Sequence, residues 1–328
     1  MLVLPELFVP KRPVIGASRI LDIDRHDLKL VTESWVSIEE VLRARPDHVT
    51  AQVFLEDARL KASLDMEEPR PRQHLLDTVG YESLDEKLAK MEKWGFDAVE
   101  VYRDAVGDEK TYLDAIGKTQ LKVSAVCFGS IEGNLVSEIP EKRREGKETL
   151  RRALETAGQL GAVGLIYVPA FNGETKLTNQ EIRQILLDTL PELGEHAAKA
   201  GTKLLLEPLN RKEAFFLRQL ADAASICRDC NNPGVCMMGD FYHMGIEETS
   251  DLGAFISAGD YLHHVHLASR TRVLPGQDER SFVDGFRGLK MVGYQDYCSF
   301  ECGVRGDRDV EIPKSMAFLR DQWELAVV

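Results

Sequence analysis

Four polar side chains stand at the end of short apolar runs in the second half of the sequence. The runs are KLLLE, CMMGD, HHVHL and CSFE, and the polar residues are Glu207, Asp240, His266 and Glu301. Three carboxylates and one imidazole form an oxygen-rich donor set that favours Mn²⁺, with Mg²⁺, Co²⁺ and Zn²⁺ as alternatives. Three carboxylates that converge without a cation repel one another, and some must then take up protons. The pattern therefore predicts one divalent metal ion, provided that the four runs are neighbouring strands.

Three charged or titratable side chains follow these candidate ligands closely. His243 comes three residues after Asp240, while Glu213 and Arg272 come six residues after the first and third candidate ligands. His243 fits either the same site or a surface position at the start of a helix. Glu213 and Arg272, taken singly, are better explained as solvated charges on loops. Together the three indicate a polar rim around the predicted metal site.

The elements that must position these residues form a regular alternation. From about residue 82, amphipathic stretches alternate with short runs of Val, Ile and Leu, which predicts βα units around a parallel sheet. In the first unit, Ser83 and Glu86 form a capping box, Gly95 ends the helix, and AVEVY follows as a strand. The later predicted strands are LKVSAVCF, VGLIYV, KLLLE, GVCMMGD, LHHVHL and YCSFE. The later predicted helices span residues 147–160, 178–200, 221–230, 250–258, 282–292 and 313–325.

Strand number and order predict the fold class. Seven strands run from AVEVY to the CSFE segment, and PVIGAS at residues 13–18 would be the eighth. We predict an α/β fold in which residues 1–328 form a single (β/α)8 TIM-barrel domain, with a doubly wound open sheet as the alternative. Residues 19–80 are predicted to be an insertion or an N-terminal appendage. In such a barrel the carboxyl ends of the strands meet at one face, which would bring the candidate residues together.

Charge and hydropathy exclude several classes of protein. The 328 residues include 41 basic and 54 acidic side chains, which gives a formal net charge of −13. A nucleic-acid binder needs a basic surface against the phosphates, so we expect no nucleic-acid partner. No apolar run approaches the roughly 20 residues that a bilayer requires, so we expect no membrane span. The opening MLVLPELFVPKRP reverses the order of a signal peptide, and we expect a cytoplasmic protein.

Three further classes of protein lack their sequence signals. Six cysteines are too few for a disulfide scaffold in a chain of this length, and we expect reduced, mostly buried thiols. The C-x-x-C at Cys227 and Cys230 has no second pair at the spacing of a zinc ribbon. No G-x-G-x-x-G segment follows a predicted strand, which argues against a nicotinamide enzyme.

Four segments carry a family resemblance. EPLNRKE, GDFYHMGIEE, HVHLASRTRVLPG and SFECG resemble, in order and spacing, the metal-site segments of the xylose isomerase-like TIM barrels. Among these they are most similar to ketose 3-epimerases, inosose dehydratases and hydroxypyruvate isomerases. The resemblance is specific between about residues 203 and 303. The first 80 residues do not match the family's opening strand and loop, so the resemblance does not identify the sugar substrate. It implies a homodimer or homotetramer, metal ligation by Glu207, Asp240, His266 and Glu301, and substrate contacts from Glu213, His243 and Arg272.

The resemblance and the donor set together predict a sugar isomerase or epimerase. A divalent cation would stabilise the enediolate that forms when a proton leaves the carbon beside a carbonyl. Glu207 and Glu301 are the predicted acid–base pair, His243 would polarise or protonate a substrate oxygen, and Arg272 would orient hydroxyls. The same first step could also produce elimination, so the alternative is a lyase or dehydratase acting on a keto-sugar, inosose or keto-glycoside. A non-catalytic sugar-binding subunit is a further alternative, whereas an apurinic-site endonuclease would need more histidines and a basic face.

Overall fold

The sheet consists of seven parallel strands that pair in chain order. The computed structural model describes residues 78–80 and 83–328, and every structural statement concerns these residues. The strands are β1 (Ala98–Tyr102), β2 (Lys122–Gly129), β3 (Gly164–Tyr167), β4 (Leu204–Leu206), β5 (Val235–Asp240), β6 (Leu262–Leu267) and β7 (Cys298–Phe300). Each strand is parallel to the next. Sequential parallel strands joined by helices confirm the predicted fold class, a nearly closed α/β barrel.

At least one helix follows every strand, and one precedes β1. The α-helices are α1 (Leu84–Trp94), α2 (Glu109–Ile116), α3 (Pro140–Gln159), α4 (Asn179–Ala200), α5 (Leu220–Cys230), α6 (Phe241–Glu247), α7 (Asp251–Ala258), α8 (Val283–Met291) and α9 (Arg308–Leu325). Short 3₁₀ helices span Arg103–Ala105, Asn134–Val136 and Gly259–Tyr261. The crossovers pack on the outside of the sheet, where they cover its outward-facing apolar side chains.

Helix ends follow the capping signals in the sequence. The Ser83 hydroxyl accepts a hydrogen bond from the Glu86 backbone N–H, and the Glu86 carboxylate accepts one from the Ser83 N–H. Thr178 and Glu181 repeat this capping box at the start of α4. Gly95 ends α1 with φ of 84°, a left-handed conformation that favours glycine. The predicted starts of α1 and α4 and the predicted end of α1 are therefore correct.

Four helices differ from their predicted form. Helices α2 and α6 were not predicted, because eight and seven residues are too few for a clear apolar periodicity. Helix α3 begins at Pro140 rather than at residue 147, since its first turns are charged and its apolar face starts only later. Helix α9 begins at Arg308 and has Pro313 inside it, although proline is more typical of a first turn.

The interior of the barrel is apolar below the predicted site. Ala125, Cys127, Ile166, Leu205, Cys236 and Met238 form one buried cluster drawn from β2 to β5. Side chains alternate between the two faces of a strand, so the residue two positions further along points into the same interior. Glu207 follows Leu205, and Asp240 follows Met238, at this spacing. The apolar cluster thus lies beneath the two carboxylates at the carboxyl ends of β4 and β5.

Some sequence predictions concern parts of the chain outside the described residues. The predicted strand at residues 13–18 and all but the end of the segment 19–80 belong to this group. Within the described residues, no helix is long and apolar enough to cross a membrane. All six cysteines are free thiols and five are buried, as expected, whereas Cys298 is exposed. Oligomeric state stays a prediction.

Close packing between α3 and α4 can be tested at Gly158. A Cβ on Gly158 would clash with the carbonyl oxygen of Ala200. We predict that Gly158→Ala lowers the free energy of unfolding by about 1–3 kcal/mol through overpacking, measured by denaturant titration. Gly253→Ala in α7 is the matched control, because its Cβ would meet only Ser250 at 3.5 Å. The control should be neutral or stabilising, and equal destabilisation by both variants would contradict the packing argument.

Candidate functional site

The four predicted metal ligands converge at the carboxyl ends of β4 to β7. The Nδ1 atom of His266 lies 3.3 Å from Glu301 Oε2, 3.7 Å from Asp240 Oδ2 and 3.8 Å from Glu207 Oε1. Each of the four residues is at most 2% exposed. The structure therefore brings together side chains that are up to 94 positions apart in the sequence, at the face of the barrel predicted for the site.

Two of the converging atoms are buried without a hydrogen-bond partner. They are Asp240 Oδ2 and His266 Nδ1. Leaving a buried polar atom unsatisfied costs about 1–3 kcal/mol, so such atoms call for a ligand between them. The donors are carboxylate oxygens and one imidazole nitrogen, which is the chemistry of a Mn²⁺, Mg²⁺ or Co²⁺ site. The residues present fit a divalent cation at this point.

Asp240 is oriented by its position between β5 and α6. Its Oδ1 accepts a hydrogen bond of 2.6 Å from the Tyr242 backbone N–H and so caps the helix. The other oxygen, Oδ2, then faces the interior of the site. Burial raises the pKa of the Asp240 carboxyl, and nearby His266 and Arg272 oppose this shift. The capping bond thus aims a single oxygen at the other predicted ligands.

The buried side chain of Glu100 contacts His266 on the side of the ring that faces away from the other predicted ligands. Glu100 Oε2 lies 2.9 Å from His266 Nε2, 2.7 Å from His264 Nε2 and 2.8 Å from the Ser299 hydroxyl that donates to it. Because a carboxylate only accepts, Nε2 of His266 carries a hydrogen and Nδ1 faces the other ligands. Burial alone would lower the pKa of His266, but the carboxylates of Glu100 and Glu301 raise it well above its usual range.

Arg272 spans the mouth of the site. Its Nη2 donates to Glu301 Oε2 at 2.5 Å, and its Nη1 lies 3.5 Å from Glu213 Oε1. The guanidinium also stacks on the Tyr242 ring, with 4.6 Å to the ring centroid. Arg272 has a left-handed backbone with φ of 52°, which is uncommon for a residue other than glycine. Backbone hydrogen bonds from Arg272 N–H to Ser269 and from Gly303 N–H to Arg272 hold this conformation.

His243 and Glu213 complete the predicted rim. His243 Nε2 lies 3.6 Å from Asp240 Oδ2, and its Nδ1 lies 3.8 Å from Glu213 Oε1. His243 is buried in α6 rather than exposed at the surface, so the surface alternative is wrong. Atoms of His243 and of the three carboxylate ligands also lie within 4.8 Å of one another. All seven predicted site residues therefore occupy one place in the structure.

Three contributors to the site were not predicted from the sequence. Glu100, Asn210 and Tyr242 contact the predicted residues from behind or from the side. The one signal for Glu100 is its position as an acidic residue in the middle of the apolar strand AVEVY. A charged side chain there must find a partner inside the barrel.

A family model and curated relatives agree with this fold. Residues 88–322 match the family model described as xylose isomerase-like TIM barrel, which confirms the predicted resemblance. The chain is 31% identical over 249 residues to 3-dehydro-D-guloside 4-epimerase of Escherichia coli, covering 73% of this chain and 95% of that protein. It is 26% identical to ketose 3-epimerase of Arthrobacter globiformis, covering 72% of this chain and 83% of that protein. Epimerases are isomerases, so the names of these relatives agree with the predicted enzyme class.

Solved structures give the same result for the fold. The crystal structure of 3-keto-D-glucoside 4-epimerase from E. coli is 31% identical, with a TM-score of 0.67, and covers 74% of this chain and 95% of that one. D-psicose 3-epimerase from Clostridium cellulolyticum with D-tagatose has a TM-score of 0.69 over 76% of this chain and 96% of that one. Its identity is 20%, so this second likeness supports the fold alone.

Replacement of Glu100 tests the buried network behind His266. Glu100→Ala would leave two buried imidazole N–H groups and the Ser299 hydroxyl without their shared acceptor. We predict a loss of about 3–5 kcal/mol in the free energy of unfolding. Ser299→Ala removes one donor and keeps the acceptor, and should cost about 1 kcal/mol. Chemical unfolding of both metal-free variants measures the difference, and a similar small loss in each would contradict the shared role of Glu100.

Proposed function

The chain belongs to the xylose isomerase-like TIM-barrel family, and we propose that it is a divalent-metal-dependent sugar epimerase. The reaction begins with abstraction of a proton from the carbon beside a carbonyl. The observation that carries the proposal is the convergence of three carboxylates and one imidazole at the carboxyl ends of β4 to β7. Relatives named as epimerases, matched over most of their length, support the reaction class.

The four converging residues would hold the cation. Glu207, Asp240 and Glu301 supply oxygen ligands, and His266 supplies Nδ1, with Mn²⁺ the ion that this set favours. When bound, the cation supplies an electrophile for the substrate's carbonyl and adjacent hydroxyl oxygens and so lowers the cost of the negative charge that develops there. Hydrogen bonding of the His266 Nε2 to Glu100 keeps Nδ1 directed at this point.

Glu207 and Glu301 are placed to move the protons. They follow β4 and β7, which are separated by two strands, so the carboxylates approach from different sides of the barrel mouth. Inversion at a carbon needs one group to take a proton from one face and another to return a proton to the opposite face. The first residue takes the proton onto a carboxylate oxygen and holds it, while the second residue, protonated before the turnover, gives its proton to the opposite face and is left as a carboxylate. Arg272 orients Glu301 through the hydrogen bond from Nη2 to Oε2.

The rim residues would bind the hydroxyls of the substrate. Arg272 and His243 present N–H groups, whereas the Glu213 carboxylate accepts hydrogen bonds. These side chains lie within 3.8 Å of one another's nearest polar atoms. A polyhydroxylated substrate matches such a mixture of donors and acceptors. The site therefore suits a sugar better than an apolar ketone.

The substrate class includes free ketoses and keto-glycosides. The E. coli relative whose length is matched to 95% is named for a 3-dehydro-guloside, which is a keto-glycoside. Other relatives are named for ketoses, among them the one from Arthrobacter globiformis. Both substrate types have the carbonyl beside a carbon that bears hydrogen and hydroxyl, which is the feature that the proposed chemistry requires.

Substitution of Glu207 and Glu301 tests their proposed roles as metal ligands and as the acid–base pair. We predict that Glu207→Gln and Glu301→Gln each reduce kcat at least about 100-fold, because general acid–base catalysis contributes that much. Each should also weaken Mn²⁺ binding at least about 10-fold, measured by calorimetric titration of the metal-free protein. Glu195→Gln on the exposed face of α4 is the control for the change in net charge. Full activity in either site variant would contradict the mechanism.

Metal removal and a substrate panel test the reaction itself. We expect chelation to abolish turnover of a ketose or keto-glycoside and Mn²⁺ to restore it. The reason is that the cation, held by the converging carboxylates, would bind the substrate's oxygens. NMR of the products identifies the changed carbon. An unsaturated product would instead assign the chain to the lyases. Stoichiometric metal binding without turnover of any panel member would favour a sugar-binding subunit.

A further inference from the structure

Asn210 stands directly behind His243, and its side-chain amide has a single orientation. Its Oδ1 accepts a hydrogen bond of 2.9 Å from the Lys212 backbone N–H, and its Nδ2 donates to Glu213 Oε1 at 3.0 Å. A backbone N–H can only donate, and a carboxylate can only accept. These two contacts fix which end of the amide carries oxygen. The Nδ2 group is therefore the end that faces His243, 2.7 Å from its Nδ1.

His243 Nδ1 is consequently a hydrogen-bond acceptor. The backbone N–H of Asn210 also donates to it at 3.2 Å, which is a second and independent donor. A ring nitrogen that accepts hydrogen bonds carries no hydrogen of its own. The hydrogen of the neutral ring must then be on Nε2. His243 is 1% exposed, so no solvent competes for this arrangement.

The Nε2–H group points into the proposed site. Asp240 Oδ2 lies 3.6 Å from Nε2, and Arg272 Nη1 lies 3.4 Å from it. Arg272 Nη1 is also a donor, so the contact between these two nitrogens is not a hydrogen bond in this tautomer. An oxygen atom placed between them would accept a hydrogen bond from each. The two groups form a fork that suits one oxygen of a sugar.

We infer that Asn210 is a positioning residue that holds His243 as its Nε2–H tautomer. His243 then acts as a hydrogen-bond donor that polarises a substrate oxygen. It does not act as a base at Nε2, because that nitrogen already carries the hydrogen. The identity of the acceptor as a substrate oxygen rests on the proposed function, whereas the tautomer itself does not.

The tautomer can be measured in the protein without substrate. Protein labelled with ¹⁵N-histidine, freed of metal and then loaded with Mg²⁺, gives long-range ¹H–¹⁵N correlations whose pattern distinguishes the two neutral tautomers and the doubly protonated ring. His243→Gln identifies the His243 signals by their disappearance. We expect the Nε2–H pattern in both forms. A hydrogen on Nδ1 in both forms would overturn the inference.

Two substitutions separate the contribution of the Asn210 side chain from that of its backbone. Asn210→Asp places a carboxylate, which can only accept, against His243 Nδ1, and we expect a hydrogen to move onto Nδ1. Asn210→Ala keeps the backbone donor and should keep the Nε2–H pattern. Asn231→Asp, at the exposed end of α5, adds the same charge away from the site as a control. An unchanged tautomer in Asn210→Asp would remove Asn210 from this role.

Turnover connects the tautomer to the reaction. Asn210→Asp should lower kcat at least about 10-fold, since one donor to a developing charge is lost, while Asn231→Asp keeps wild-type kcat. An unaltered kcat in Asn210→Asp, with the tautomer changed, would show that the hydrogen on Nε2 is not used in the reaction. Absence of turnover in the wild type with every sugar tested would count against the proposed function and leave the NMR result intact.

Discussion

Electrostatic repulsion among three buried carboxylates is the constraint on which the rest of the site depends. Glu207, Asp240 and Glu301 converge on one point where water cannot screen them. The surrounding residues offset this repulsion with positive charge and N–H groups. Arg272 donates to Glu301, His266 lies against all three carboxylates, and the Tyr242 N–H at the start of α6 donates to Asp240. A divalent cation at the same point would neutralise the remaining negative charge of the three carboxylates.

The two histidines of the site have hydrogen-bond partners of opposite kind on the side of the ring that faces away from the site. The Glu100 carboxylate accepts from His266 Nε2, so Nδ1 is the ring nitrogen that faces the three carboxylates. Donors from Asn210 reach His243 Nδ1, so His243 presents a hydrogen at Nε2. One histidine is thereby suited to hold a cation and the other to donate to a substrate oxygen. The partner behind each ring, rather than the ring itself, decides its role.

The four predicted ligands could be recognised from the sequence, whereas the residues that orient the two histidines could not. The predicted ligands were recognisable because each ends an apolar run, and the two-residue period of a strand then sets the direction of the side chain. Glu100 gave little signal, since its partners His264 and Ser299 lie 164 and 199 positions away. Asn210 lies within the quoted segment EPLNRKE, but its role depends on a contact with a helix that was too short to predict. Contacts between distant strands and loops are set by packing, which local patterns do not record.

Solvent isotope exchange shows whether the enzyme removes and returns a proton on the carbon beside the carbonyl. The Mn²⁺-loaded protein would be incubated in D₂O with a ketose or keto-glycoside that it converts, and the product examined by NMR and mass spectrometry. We expect one deuterium on the inverted carbon beside the carbonyl, since the residue that returns a proton to this carbon exchanges its own proton with solvent. Conversion in which neither the product nor the remaining substrate carries deuterium at that carbon would contradict proton abstraction by the site carboxylates.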